Sequence, residues 1–82
     1  MILSMYAVKD ELNGFAPPIP ITNDELAKRY LRELYDNNPT VKTSPQDFSI
    51  WKIGDFDSEL GRMLPDENKL IERANNYGRS EV

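Results

Sequence analysis

Apolar and polar positions change rhythm several times along this chain, and each change marks an element. Leu3 to Val8 is an apolar and aromatic run that predicts a first strand. Asp10-Glu-Leu-Asn-Gly14 follows, and Asn13-Gly14 is a strong turn signal because both residues tolerate positive φ. A hairpin is expected. Its return arm, Phe15 to Ile21, holds Pro17, Pro18 and Pro20, which have no N–H to donate and confine the arm to a sheet edge or a polyproline-like segment. Pro-rich stretches also serve as ligands for aromatic grooves, but this one leads straight into a helix start, which favours the structural edge.

The spacing then changes to three and four. Thr22-Asn-Asp-Glu25 fits a capping box, with Ile21 and Leu26 at the hydrophobic-staple positions, so a helix is predicted from Asn23. Leu26, Ala27, Tyr30, Leu31, Leu34 and Tyr35 make one apolar stripe that must face a sheet. Asn37 or Asn38 can take a left-handed cap, and Pro39 prevents continuation. The opposite face carries Lys28, Arg29, Arg32, Glu33 and Asp36. There Glu25–Arg29 and Arg32–Asp36 stand as i,i+4 pairs, a solvated and self-paired face that competes with a contact surface built on Lys28, Arg29 and Arg32.

After a loop through Thr43-Ser-Pro45, Phe48 to Phe56 reads as the central strand, with Phe48 and Ile50 pointing one way and Trp51 and Ile53 the other. Gly54 suggests a bulge or a close backbone approach. Asp57-Ser-Glu-Leu-Gly61 turns the chain, and Arg62 to Leu64 returns as a short strand. Pro65-Asp66 is expected to open a second helix with Leu70, Ile71, Ala74 and Tyr77 on one side, ending near Gly78. The whole predicts a small single α+β domain over residues 1–78 in ββαββα order. An antiparallel or mixed sheet carries one main helix on one face, and residues 79–82 form a frayed tail.

Composition narrows the chemistry. With 82 residues, the domain buries only about 60% of its unfolded surface and gains from partners or oligomerisation. There is no cysteine and no histidine, so disulfides, thiolate metal sites, cysteine nucleophiles and imidazole bases are excluded. Met1 to Met5 lacks the flank and length of a secretory signal, and no segment approaches the roughly 20 apolar residues of a membrane span. A soluble, intracellular protein is expected, with Met5 as an alternative start. Ten Lys and Arg stand against fourteen Asp and Glu, a net charge of −4 that opposes binding driven by phosphates. Six of the acids lie between Asp55 and Glu72, where only Arg62 and Lys69 offset them.

Asp55, Asp57 and Glu59 alternate like ligands of a cation loop, yet depart from the EF-hand pattern, since Leu60 and Asp66 stand where Gly and a bidentate Glu belong. Turn chemistry accounts for them, and no metal or cofactor is expected. Ser44, Ser49 and Ser58 have no histidine base, no Gly-rich phosphate loop is present, and nothing marks a desolvated carboxylate pair, so no catalytic residues are assigned. Tyr6, Phe15, Phe48, Trp51 and Phe56 lie on the predicted strands with Lys9, Lys42, Lys52 and Arg62 nearby. Most of these rings are needed for the core. One or two beside Lys52 can form a stacking platform for single-stranded nucleic acid.

Phe15-Ala-Pro-Pro, the helix closing in Tyr35-Asp-Asn-Asn-Pro39, Ser44-Pro-Gln-Asp-Phe48 and Trp51-Lys-Ile-Gly-Asp-Phe-Asp57 with Gly61 together resemble the small nonstructural protein of gokushovirus-type microviruses, the single-stranded DNA phages. The resemblance covers about residues 5 to 74 and is strongest from Pro45 to Gly61. Trp51 stands where that family usually has Tyr, Asp55 where Glu is common, and Leu60 where Thr often precedes the Gly. It implies a non-enzymatic protein of the host-cell cytoplasm that acts in viral DNA replication or in the switch to single-strand synthesis and packaging. Two modes are expected: an adaptor for viral replication or capsid proteins or host replication proteins, or direct binding of single-stranded DNA. Lys28, Arg29, Arg32, Lys42, Trp51, Lys52 and Arg62 are the candidate binding residues. A homodimer through an exposed edge strand is a further expectation.

Overall fold

The computed structural model describes residues 1–79. Strand β1 (Ile2–Asp10) turns at Asp10, whose carboxylate accepts the Leu12 N–H at 3.0 Å, and returns as β2 (Gly14–Phe15) with Lys9 opposite Phe15. The prolines then lift the chain off the ladder before it rejoins β1 as β3 (Ile19–Pro20), with Ile19 opposite Tyr6. This is the edge arm that the prolines demand.

Helix α1 (Asp24–Asn37) begins one residue later than the capping-box reading places it. Asn23 is the cap, its side-chain oxygen accepting the Leu26 N–H at 2.9 Å. Asn caps at least as well as Thr, and here it wins. The other end departs further from expectation. Asn38 is extended (φ −112°, ψ 115°) instead of left-handed, and its side chain accepts from Thr40 and Val41 N–H to start a short helix, α2 (Pro39–Thr43). Pro39 ends one helix and opens the next, because a first-turn position needs no N–H.

A 3-10 turn at Pro45–Asp47 leads into β4 (Phe48–Asp57), which lies between β1 and β5 (Arg62–Arg73) in a fully antiparallel sheet of order β2-β1-β4-β5. The four-residue connection closes as the sequence predicts. The Asp57 carboxylate accepts the Glu59 and Leu60 N–H groups, and Gly61 takes φ +67°. The fold class stands, but the second helix over 65–77 does not form. The chain stays extended to Arg73, with Leu70 opposite Trp51 and Lys69 opposite Lys52, and only Ala74–Arg79 coils, as a 3-10 turn. A full antiparallel ladder on β4 outweighs the weak helix signal of a short segment. Of the tail 79–82, residues 80–82 lie outside the described part.

Register shifts between Ile50 and Trp51 and between Lys52 and Gly54 bend the β4–β5 ribbon. At the second, Gly54 (φ +153°) faces Pro65 so closely that a Cβ there would sit 2.7 Å from the Leu64 carbonyl oxygen. Beyond this point the ribbon runs out of the body, every residue from Ser58 to Lys69 is exposed, and the molecule measures 47 × 24 × 21 Å.

The core lies between α1 and one sheet face: Tyr6, Ala27, Leu31, Val41, Ile50 and Ala74, with Val8, Ile21, Leu34, Tyr35, Phe48, Ile71 and Tyr77 around it. Ala27 and Leu31 are fully buried, while Tyr30, also on the predicted stripe, is 37% exposed. The Tyr6 hydroxyl, on a buried ring, donates to the Asp24 carboxylate at 2.6 Å and ties β1 to the start of α1.

Candidate functional site

Helix periodicity sets Lys28, Arg32 and Tyr35 along one line of α1, with Arg29 beside them. The turn after β5 brings Tyr77 onto this line, its hydroxyl donating to the Lys28 carbonyl at 3.0 Å and its ring 5.7 Å from that of Tyr35. The Arg32 guanidinium lies over Tyr77 with its Cζ 5.1 Å from the ring centre, and Lys42 of α2 sets its Nζ 4.9 Å from the centre of Tyr35. The result is a stripe in which cations and rings alternate: Lys42, Tyr35, Tyr77, Arg32. It borders a groove of about 270 Å³ lined by Glu25, Lys28, Arg29, Arg32, Glu72 and Tyr77.

Electrostatics in the stripe differ from the sequence expectation. Glu25 meets Lys28 at 3.5 Å, leaving Arg29, and Arg32 rests on a ring instead of pairing with Asp36. Among the described residues, no carboxylate oxygen comes within 4.0 Å of the charged nitrogens of Arg29, Arg32 or Lys42. Exposed i,i+4 pairs are worth only about 0.3–0.5 kcal/mol, so a ring within reach competes easily. Burial, with the Glu72 carboxylate nearby, pushes the Tyr77 hydroxyl up to about 12, against a smaller opposing pull from Arg32. The phenol therefore stays protonated, and remains a donor to Lys28, throughout the physiological range.

Lys28, Arg29, Arg32 and Lys42 thus come together, whereas Trp51 and Lys52, neighbours on opposite faces of β4, and Arg62 at the far end of the ribbon lie apart from them. Trp51 sits beside Ala7 on the sheet face away from α1, by strand alternation. Its indole N–H donates to the buried Ser49 hydroxyl at 2.8 Å, and its ring meets Phe15 edge-on at 6.2 Å. The cation at these rings is Lys9, 5.5 and 5.8 Å from their centres and 3.7 Å from Glu11, and not Lys52. Lys52 is 3.7 Å from Asp55 and borders an open cleft of about 520 Å³ with Asp24, Asp66, Glu67 and Lys69. Arg62 begins β5 at the exposed tip of the ribbon. Of the acidic alternation, Asp57 caps its own turn, Asp55 faces Lys52, and Glu59 lies 3.7 Å from the N-terminal amine. Among the described residues, no three His, Cys, Asp or Glu side chains gather as a metal-binding group.

Tyr77 is the contributor that sequence reasoning missed. Its part in the site depends on β5 remaining a strand, and no local pattern announces that. Tyr35 was legible only as a core position.

A small antiparallel sheet carrying one main helix, with a cation–tyrosine stripe along that helix and its neighbours, defines a compact α+β domain. The chain belongs to the phage ORF5 protein family, whose profile matches residues 3–77, from β1 through Tyr77. It is a phage protein. No curated protein and no solved structure matches it. Among the described residues, no helix is long and apolar enough to cross a membrane.

Proposed function

We propose that this phage protein is a non-enzymatic adaptor of a gokushovirus-type microvirus, acting in the host cytoplasm in viral DNA replication or in the switch to single-strand synthesis and packaging. Its partners in this reading are viral replication or capsid proteins or host replication proteins. The phage family and the motifs from Pro45 to Gly61 support the setting. The observation that carries the mode of action is the stripe: cations seated on tyrosine rings with no carboxylate partner among the described residues, on a chain whose net charge of −4 works against a polyphosphate ligand.

A second reading, direct binding of single-stranded DNA, has its own observation. Phe15 is 43% exposed next to Trp51 with Lys9 at both rings, and stacked bases gain about 1–3 kcal/mol each on such surfaces. The two readings separate in a titration of labelled oligonucleotide at increasing salt. Under the adaptor reading binding is absent or flat with salt, and affinity purification from infected cells yields a specific viral or host protein. Steeply salt-dependent binding that Lys9→Ala or Phe15→Ala abolishes establishes the DNA reading and removes the adaptor.

A further inference from the structure

We propose that the Lys42–Tyr35–Tyr77–Arg32 stripe, with Arg29, is the seat of an acidic protein segment whose carboxylates engage Arg29, Arg32 and Lys42. The inference rests on the adaptor reading and adds to it the chemistry of the partner.

Three features point to carboxylates presented by a protein. First, among the described residues Arg29, Arg32 and Lys42 have no carboxylate partner, although Glu33 and Asp36 share the helix of the two arginines. Arg29, Arg32 and Lys42 are all exposed, so a ligand reaches them without opening the fold.

Second, the stripe is organised in advance. A guanidinium that lies over a ring uses its π face and keeps its N–H edge for a planar acceptor, which a carboxylate matches with two parallel bonds. The Arg32 Cζ lies 5.1 Å from the centre of the Tyr77 ring, and Tyr77 is itself anchored through its hydroxyl to the Lys28 carbonyl. The ring contacts restrict Arg32 and Lys42 before a ligand arrives, which lowers the ordering cost of binding.

Third, acids are interspersed with the cations. Glu25 and Glu72 line the groove, and Glu33 and Asp36 lie on the same helix. A continuous polyanion such as a nucleic-acid backbone places phosphates at regular intervals and meets these acids as well as the cations. An acidic protein segment sets carboxylates only where cations stand and offers neutral or basic residues opposite the acids, so discrimination comes from the repulsive positions as much as the attractive ones.

The test uses the full chain and two fluorescent probes, an oligoglutamate with neutral residues interspersed between its glutamates and an oligothymidylate, followed by anisotropy at low and moderate salt. The expected result is oligoglutamate binding that exceeds oligothymidylate binding and weakens by roughly tenfold in Arg29→Ala/Arg32→Ala, as for the loss of a charge-assisted contact. Lys42→Ala, which leaves the Arg32–Tyr77 contact intact, lowers it in the same direction. Lys69→Ala, outside the stripe and 71% exposed, leaves it unchanged. Circular dichroism of each variant confirms that the fold persists. Oligoglutamate binding that ignores the Arg29, Arg32 and Lys42 substitutions overturns the inference, as does tighter binding of oligothymidylate, or binding of neither probe. Affinity purification keeps the two levels apart. A specific partner retained equally by wild type and by Arg29→Ala/Arg32→Ala sustains the adaptor and removes the stripe as its seat, whereas recovery of DNA alone removes the adaptor itself.

Discussion

Replacing Gly54 by alanine tests the part of the fold that shapes the β4–β5 ribbon. The added methyl would stand 2.7 Å from the Leu64 carbonyl oxygen and 3.2 Å from the Pro65 Cα, both backbone atoms that cannot swing aside as a side-chain tip can. At φ +153° the backbone itself is outside the comfortable range of an L-residue. The conformational strain is about 1–3 kcal/mol, and pushing the two strands apart adds about 1–3 kcal/mol in the manner of an overpacked core. The stiffer unfolded chain returns only about 0.4–1 kcal/mol. A net loss of about 2–4 kcal/mol is expected, a large share of the roughly 4–12 kcal/mol that 82 residues support. Urea unfolding followed by the fluorescence of Trp51, the single tryptophan, measures it directly, since that ring is on the same strand. Gly61→Ala is the control: φ is +67° with nothing within 4 Å of the added carbon, so it loses only about 1–2 kcal/mol. Equal losses at the two positions, or a Gly54→Ala midpoint at or above wild type with an unchanged slope, refute the close approach.

Tyr6→Phe leaves the Asp24 carboxylate without its 2.6 Å donor and is expected to cost about 1–2 kcal/mol in the same urea assay, with α1 fraying first in hydrogen exchange. Leu31→Ala empties a fully buried position and lowers stability by about 2–5 kcal/mol; a smaller loss means that α1 does not dock as described. Asn38→Ala removes the cap of α2 at a cost of about 1 kcal/mol, and unchanged stability argues against that helix start. Alkaline pH acts through tyrosine. Folding raises Tyr77 to about 12, and burial together with the Asp24 hydrogen bond raises Tyr6 further, so the native state prefers both phenols protonated. Their contribution is fully present below the unfolded value of about 10 and is lost as pH climbs from there through the folded values. Phenolate absorbance reads this, and a Tyr77→Phe variant with an unaltered upper limb of the titration refutes the assignment.

What could be read from the residues alone follows the strength of each local signal. The Asn13-Gly14 turn, the apolar stripe centred on Ala27 and Leu31, the strand read over Phe48 to Phe56 and the Gly61 turn were all legible, because each pairs a periodicity with a matching stop residue. Leu70, Ile71, Ala74 and Tyr77 were not, since spacings of one, three and three suit a helical face. In the fold they instead reflect an irregular strand register near Ile50 and Trp51, followed by a tight turn. Unlike the shift at Gly54, this one falls among residues with no glycine or proline to mark it. The candidate site inherited that ambiguity. Its cations were legible on α1, but which of them meet acids and which meet rings was decided by small energy differences and by a tyrosine delivered from far along the chain.

That delivery sets an order of events during synthesis. Arg32 leaves the ribosome forty-five positions before Tyr77, and Tyr77 reaches the Lys28 carbonyl from beyond the far end of β5. A nascent or clipped polypeptide therefore carries the charges without the seat that aims them. Under the adaptor reading, an unfinished copy therefore lacks the aimed surface that a complete one presents.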